Sequence, residues 1–262
     1  MPCPACHAST GGSDRRIRSC PNCHHYWLNH SKRDHRGVER TTFTHSYAGY
    51  CPDEVYVQSA SRIAQAELVT RVRPPARVLD VGCGAGDFIA VMRGLGYDAE
   101  GIDISPASAD ICRSRQIPSR AADFVTFEFP GPFDVIIMWD LIAHLRDPAA
   151  FVSRAHSLLT SRGLLFIKTP AFGRLSVELS NFHPRIASAL LGAPSHSQYF
   201  NRESLGLLLA QTGFEAEWLD GGAARSAPSG GGLSKRLARR ARRLISHLSG
   251  DSNLYVMGRP TL

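Results

Sequence analysis

The chain has 262 residues, 43% of them hydrophobic and 20% charged, a composition that excludes disordered, fibrous and collagen-like classes and suits one full domain with a small appendage. No stretch reaches the roughly 18–20 apolar residues of a membrane span, and the opening MPCPACHAST lacks the apolar core of a secretory signal, so the expected compartment is the cytoplasm. The net charge of +7 is uneven: residues 1–50 hold seven Lys/Arg against three Asp/Glu, 233–248 hold six against none, and 51–232 hold 16 against 19, a mildly acidic body that argues against a nucleic-acid cleft.

Residues 1–30 are expected to form a separate module. Cys3-Pro-Ala-Cys6 and Cys20-Pro-Asn-Cys23 make two CxxC knuckles with 13 residues between them. Cytosolic thiols stay reduced, so such a framework reads as a metal site rather than disulfides. Four thiolates around zinc leave no open position, which makes the site structural. His7, His24 and His25 are substitute ligands of second rank, and Cys51, Cys83 and Cys112 read as free thiols. The module either binds a partner or nucleic acid, or packs on the following domain and delivers Tyr47 and Tyr50 to its cleft; the second reading is preferred. Residues 31–72 are a connector leading into a helix over 54–72, which Pro74-Pro75 stops.

From 73 to 262 strands and helices alternate. Strands are expected at Arg77–Val81, Asp98–Ile104, 119–123, Phe133–Trp139, Gly163–Thr169, Phe214–Leu219 and 253–258. Helices are expected at Phe88–Gly94, at 107–115 behind a Ser105-Pro106 start, at 148–160 behind Asp147-Pro148, and at Glu203–Gln211. Near-continuous apolar strands separated by helices predict an α/β fold with a doubly wound, mostly parallel seven-stranded sheet. Segment 172–202 is less regular and is a candidate substrate lid carrying His183, His196 and Tyr199. A Gly/Ser/Ala-rich loop, 221–232, precedes a basic amphipathic helix, 233–248. That helix either covers the sheet or touches an anionic membrane or acidic carrier protein.

The central motif is Asp80-Val-Gly82-Cys83-Gly84-Ala-Gly86 between the first of these strands and its helix. Three close glycines let a ligand lie against the backbone, and the helix start behind them offers unpaired N–H groups. The spacing is not that of the dinucleotide fingerprint, and an acid before the turn disfavours phosphate and favours a cationic or amino-bearing ligand. Asp103, at the end of the next strand, suits two ribose hydroxyls. Together these describe a nucleoside with an amino-acid tail, as in S-adenosylmethionine.

At these residues the chain resembles the class I S-adenosylmethionine-dependent methyltransferases. VLDVGCGAGDF resembles their first motif and GIDIS their second-strand acid. DVIIMWDLIAHLRDP, LLTSRGLLFIKTP and FNRESLGLLLAQTGFEAEWL resemble later segments of relatives of the ubiquinone-biosynthesis O-methyltransferases. The cysteines followed by tyrosines resemble a bacterial branch with an N-terminal zinc ribbon, often found in glycan or specialised-metabolite pathways. The resemblance implies that Asp80, Gly82, Cys83, Gly84 and Gly86 hold the methionine part. Asp103 would bind the ribose, Asp123 with Phe124 beside it the adenine, and Ile104 would also belong to the cofactor site. Trp139 and Asp140 would line the pocket, with His144 as general base, its ordinary pKa near 6.5 suiting neutral pH. Tyr47, Tyr50, His196 and Tyr199 are candidate acceptor contacts. Ala143 departs from the pattern, because those relatives carry an acid before the histidine. No Asn/Asp-Pro-Pro-aromatic motif follows the fourth strand, and Cys83 and Cys112 lack a Pro-Cys setting, so a small-molecule acceptor is expected; the alternatives are an RNA or protein methyltransferase guided by the cysteine module, and a non-catalytic cofactor-binding scaffold.

Overall fold

The computed structural model describes residues 2–10, 17–29, 68, 70–193, 195–219 and 252–261. Tyr47, Tyr50, Cys51, most of the expected 54–72 helix, the 221–232 loop and the basic 233–248 helix lie outside the described residues.

Two short strands come first, β1 (Ile17–Ser19) and β2 (Tyr26–Leu28). The alternating region follows as β3 (Arg77–Val81), α1 (Asp87–Gly94), β4 (Asp98–Asp103), α2 (Pro106–Ser114), β5 (Ser119–Ala121), β6 (Phe133–Trp139), α3 (Pro148–Leu158) and β7 (Leu159–Ala171). Then come α4 (Arg174–Ser180), α5 (Pro184–Leu191), β8 (Gln198–Tyr199), α6 (Arg202–Gln211), β9 (Phe214–Trp218) and β10 (Ser252–Pro260). Seven strands form one sheet in the order β5-β4-β3-β6-β7-β10-β9, with β10 antiparallel to both its neighbours and the other pairs parallel. β3 lies between β4 and β6, so the strand order reverses there. A crevice opens at the carboxyl ends of strands at such a reversal.

Both sheet faces are buried, which is why the strands are near-continuous apolar runs. In β6, Phe133, Ile136 and Met138 join one core, while Val135 and Ile137 join the core on the opposite face. Asp147 caps α3 as expected, its Oδ1 accepting from Ala150 N–H at 3.0 Å. Ser105 does not act as the expected side-chain cap of α2. Its hydroxyl is buried without a partner, and its N–H donates to Asp103 instead.

The segment 172–202 is more regular than expected: it holds α4, α5 and β8. β8 does not join the large sheet. It pairs with β2 to complete a second sheet, β1-β2-β8. Ile17 of β1 packs with Phe172, Val177, Leu190, Leu191 and Tyr199. The four module cysteines and Trp27 join the core that contains Leu205, Leu208 and Phe200. The N-terminal module therefore packs directly on the α/β domain. Among the described residues no helix is long and apolar enough to cross a membrane.

One glycine has a packing role that its strand position hides. A Cβ on Gly101 of β4 would lie 2.5 Å from Ile89 Cδ1 and 2.6 Å from Cys83 Sγ. Gly101→Ala is expected to cost about 1–3 kcal/mol through overpacking, read as a lower midpoint in chemical denaturation. An unchanged midpoint would show that α1 and the glycine loop move aside freely.

Candidate active site

A cavity of about 650 Å³ sits at the carboxyl ends of β3, β4, β5 and β6. That is within the usual range for a small-molecule site. Its wall contains Asp80, Gly82, Cys83, Gly84, Asp103, Ile104, Asp123, Phe124, Trp139, Asp140 and His144, which sequence reasoning had grouped together.

The glycine loop takes a backbone that side chains resist. Gly82, Gly84 and Gly86 have φ of 75°, 53° and 76°. At Gly86 a Cβ would also meet Ile117 Cγ2 at 2.8 Å and Cys112 Sγ at 2.9 Å. Asp103 braces this loop: Oδ2 accepts from Gly84 N–H at 3.0 Å and Oδ1 from Ser105 N–H at 2.9 Å. Burial raises the Asp103 pKa above the ordinary carboxylate value, partly offset by those backbone bonds. Asp80 lies behind it. Burial first, then the neighbouring Asp103 and Cys112, push Asp80 up to about 7. Cys83 and Cys112 are buried free thiols, as expected.

On the adenine-facing side the resemblance had named, Asp123 is exposed, its Oδ1 accepting from Val125 N–H at 2.9 Å, and Phe124 is buried beside it. Ile104 is 65% exposed, an apolar side chain open to the cavity. Across the cavity, Trp139 stacks with Phe88 and Phe166 at centroid distances of 6.4 and 5.8 Å, and its buried indole N–H has no partner. Asp140 adopts a left-handed φ of 51° and pairs with Lys168, which ends the apolar run of β7.

His144 closes a 3₁₀ turn, Ile142–His144, that follows β6. Its Nδ1 lies 2.8 Å from the Ser195 carbonyl oxygen. A carbonyl only accepts, so Nδ1 carries the hydrogen and Nε2 is the basic nitrogen of the neutral ring. Burial lowers its pKa below the ordinary histidine value, opposed by the Ser195 bond and the Asp140 charge.

A family model described as a methyltransferase domain matches residues 54–218. The chain belongs to this methyltransferase family. The ubiquinone biosynthesis O-methyltransferase of Xanthomonas campestris pv. campestris (strain B100) is 32% identical over 125 residues, 43% of this chain and 52% of that one. The chain thus spans about half the length of the curated relatives it matches. A SAM-dependent methyltransferase from Archaeoglobus fulgidus superposes with a TM-score of 0.52 at 19% identity, covering 79% of this chain and 97% of the other. A Burkholderia thailandensis 1,6-didemethyltoxoflavin-N1-methyltransferase with bound S-adenosylhomocysteine gives 0.57 at 16% identity, covering 94% and 100%. At these identities the structures establish the fold.

Two expected acceptor contacts are placed differently in this chain. Tyr199 is fully buried, its hydroxyl donating to the His196 carbonyl at 2.8 Å, so it belongs to the core with Val177 and Leu191 and not to the cavity wall. The reason is β8: pairing with β2 turns that side chain inward. His196 stands behind His144, ring centroids 4.7 Å apart, outside the cavity lining, with Nδ1 2.8 Å from the Leu191 carbonyl. His183 is exposed and caps α5, its Nδ1 accepting from Arg185 N–H at 3.1 Å.

The four cysteines of the N-terminal module converge. Cys3, Cys6, Cys20 and Cys23 are all buried with sulfurs within 4.8 Å of one another, Cys3 to Cys23 at 3.7 Å and Cys6 to Cys20 at 3.5 Å. Tetrahedral zinc with Zn–S near 2.3 Å sets sulfurs about 3.8 Å apart, so the donor set fits that ion. His7 and His24 are exposed, filling the left-handed position after each knuckle at φ of 55° and 53°. His25 is fully buried and faces away, Nε2 2.9 Å from Gln198 Oε1. None of the three histidines belongs to the cysteine group. Sequence reasoning missed Ser195, Ser197 and Gln198 altogether.

Proposed function

We propose that this chain transfers the methyl group of S-adenosylmethionine to a hydroxyl of a small molecule in glycan or specialised-metabolite biosynthesis, and that its cysteine module carries a structural zinc ion. One observation carries the reading: a single cavity brings the braced glycine loop, Asp103 and the oriented His144 together. The O-methyltransferase relatives support the choice of oxygen as the attacking atom.

S-adenosylmethionine supplies an electrophilic methyl on a positively charged sulfur. Gly82, Cys83 and Gly84 would receive its amino-acid part, with Asp80 as the nearby acid; Gly86, named with them from the sequence, lies outside the cavity lining and packs against Ile117 and Cys112. Asp103 and Ile104 face the ribose, Asp123 and Phe124 the adenine, and Trp139 and Asp140 close the far wall. His144 Nε2 takes the acceptor's proton, and its Ser195 bond keeps Nε2 in the basic form. Cavity walls exclude water and align the nucleophile within roughly 3–3.5 Å, the separation that productive displacement needs.

Asp80 gives this reading a pH signature. A cationic ligand favours the ionised carboxylate, while burial holds the pKa of the ligand-free group near 7. Binding therefore releases a proton below that pKa. S-adenosylmethionine affinity is expected to rise as pH increases from 6 to 8 and to level off above, with proton release visible by calorimetry in buffers of different ionisation enthalpy. A flat profile would separate Asp80 from the ligand.

The direct test is a thermal shift with S-adenosylhomocysteine. At 100 times Kd a ligand adds about 2.7 kcal/mol, or a rise of roughly 5–10 °C for a domain of this size. Asp103→Ala is expected to abolish the shift. No rise in folded, zinc-loaded wild type at high ligand concentration would sink the proposal.

A further inference from the structure

The loop that carries His144 is held by a strap, Ser195 to Gln198, that belongs on its other side to the cysteine module. Four hydrogen bonds of 3.1 Å or less hold the loop. The Ser195 carbonyl meets His144 Nδ1 at 2.8 Å, and Ser197 N–H donates to the Ala143 carbonyl at 2.8 Å. The Ser197 hydroxyl donates to the Leu145 carbonyl at 3.1 Å, and the Gln198 side-chain NH₂ donates to that same carbonyl at 2.9 Å. The module grips the strap from behind. Leu28 N–H donates to the Ser197 carbonyl at 2.9 Å, and Trp27 pairs with Gln198 across β2 and β8.

Gln198 joins both sides through one side chain that is 1% exposed. Its NH₂ faces the Leu145 carbonyl, which can only accept, so its Oε1 must face His25. His25 Nε2 then donates. His25 in turn is part of the second knuckle: its carbonyl accepts from Cys20 N–H at 2.8 Å. The ring is fixed sideways by Trp27, parallel at 6.0 Å, and by Phe200 at 4.6 Å.

We infer that Gln198 is a positioning residue, through which the folded cysteine knuckle sets the orientation and tautomer of His144. The inference rests on the proposed role of His144 only for its effect on methyl transfer; the coupling itself is structural. The hydrogen-bonded path runs from the knuckle backbone to His25, to Gln198, to Leu145, one residue beyond His144. The adjoining strap atoms, Ser195 O and Ser197 N, close the turn on the other side. Both amide ends are buried, so removing the side chain leaves the His25 Nε2–H without its acceptor and takes one of two donors from the Leu145 carbonyl, which keeps the Ser197 hydroxyl. The loop then has a reason to rearrange.

The test uses the full zinc-loaded chain and reads His144 directly. ¹⁵N imidazole spectra assign His144 by its absence in His144→Gln. The wild type is expected to show an Nδ1–H, basic-Nε2 ring. Gln198→Met keeps side-chain volume and removes both bonds. It is expected to move the two nitrogen signals of His144 toward each other as the tautomers mix. Affinity for S-adenosylhomocysteine should stay at the wild-type value, because the glycine loop is untouched. His25→Phe keeps the ring packing and removes only the module's half of the link. It is expected to shift the same signals in the same direction by less, and it decides the matter if Gln198→Met does not fold. Unmoved His144 signals in the folded variants would overturn the inference, whatever the rate. Moved signals support it. Where they move, methyl transfer is expected to fall on the order of 10–100-fold, the scale of a misaligned group. Moved signals with undiminished turnover would support the coupling and count against His144 as the base.

Discussion

His144→Ala is expected to lower kcat by about 10²–10⁴-fold, the usual worth of a positioned general base, with S-adenosylhomocysteine binding unchanged. The measurement uses radiolabelled S-adenosylmethionine and a panel of simple phenols and hydroxylated sugars, on whichever acceptor is methylated fastest. The loss should depend on the acceptor. A sugar hydroxyl holds its proton tightly and needs a base throughout. A phenol that ionises by itself near neutral pH needs little help, so the penalty shrinks as acceptor acidity rises. The wild-type rate should fall as pH drops through the pKa of His144, because only the neutral ring accepts a proton. Burial lowers that pKa, so the acid limb lies below the ordinary histidine value of 6.5. The alanine variant should lack this limb. A variant that retains full activity on sugar acceptors would remove His144 from the chemistry. Ala143 fits the same picture: the preceding residue is not an acid, and the Ser195 carbonyl at 2.8 Å sets the histidine's tautomer.

Removing the metal is expected to have an equally large effect. Metal analysis of the purified chain should find one zinc ion per molecule, and a strong chelator or Cys20→Ala should abolish it. Apparent binding free energies of structural zinc run about 10–16 kcal/mol, more than a small module can supply from its own core. Without the ion the two knuckles lose their common centre and β1 and β2 lose their anchor. Trp27, 3% exposed, would then meet water, giving a red shift in tryptophan emission. Methyl transfer should drop sharply as the strap on His144 loosens. Binding of S-adenosylhomocysteine should persist, since the contacts proposed for it lie at the ends of β3, β4, β5 and β6, outside the module. Metal-free protein with unchanged emission, melting temperature and turnover would refute a structural zinc site.

Much of this molecule was legible in the sequence, for physical reasons that particular residues show. Buried parallel strands must be apolar on both faces, so FDVIIMW could be little else. Asp147-Pro148 announced a helix start because aspartate can cap and proline tolerates the first turn. The glycine loop was recognisable because its backbone angles exclude other residues. Segment 172–202 was not read as helical, although Pro184 opens α5 and Gly192, at φ 71°, ends it. β8 was not. It is two residues long and owes its existence to a strand far away in the chain. Tyr199 looked like an acceptor contact because an aromatic in an irregular segment gives no sign of which way it faces. The Ser195 carbonyl has no side-chain signature at all. The Lys168 pairing with Asp140 and the tight space around Gly101 likewise depend on neighbours that sequence spacing does not reveal.

The pairing of β8 with β2 also orders the events of folding. The knuckles close loops of fewer than 20 residues and can bind metal as soon as they leave the ribosome. Their docking partner comes much later: His25 and Gln198 are 173 positions apart. Contacts of such long range form late and slowly. For most of synthesis the module waits with the outer edge of β2 and the Trp27 ring uncovered, the kind of open edge that invites pairing with other chains. The step that finally covers it is the one that seats the turn bearing His144. A nascent chain would therefore lack the seated turn of His144 at least until β8 has been made.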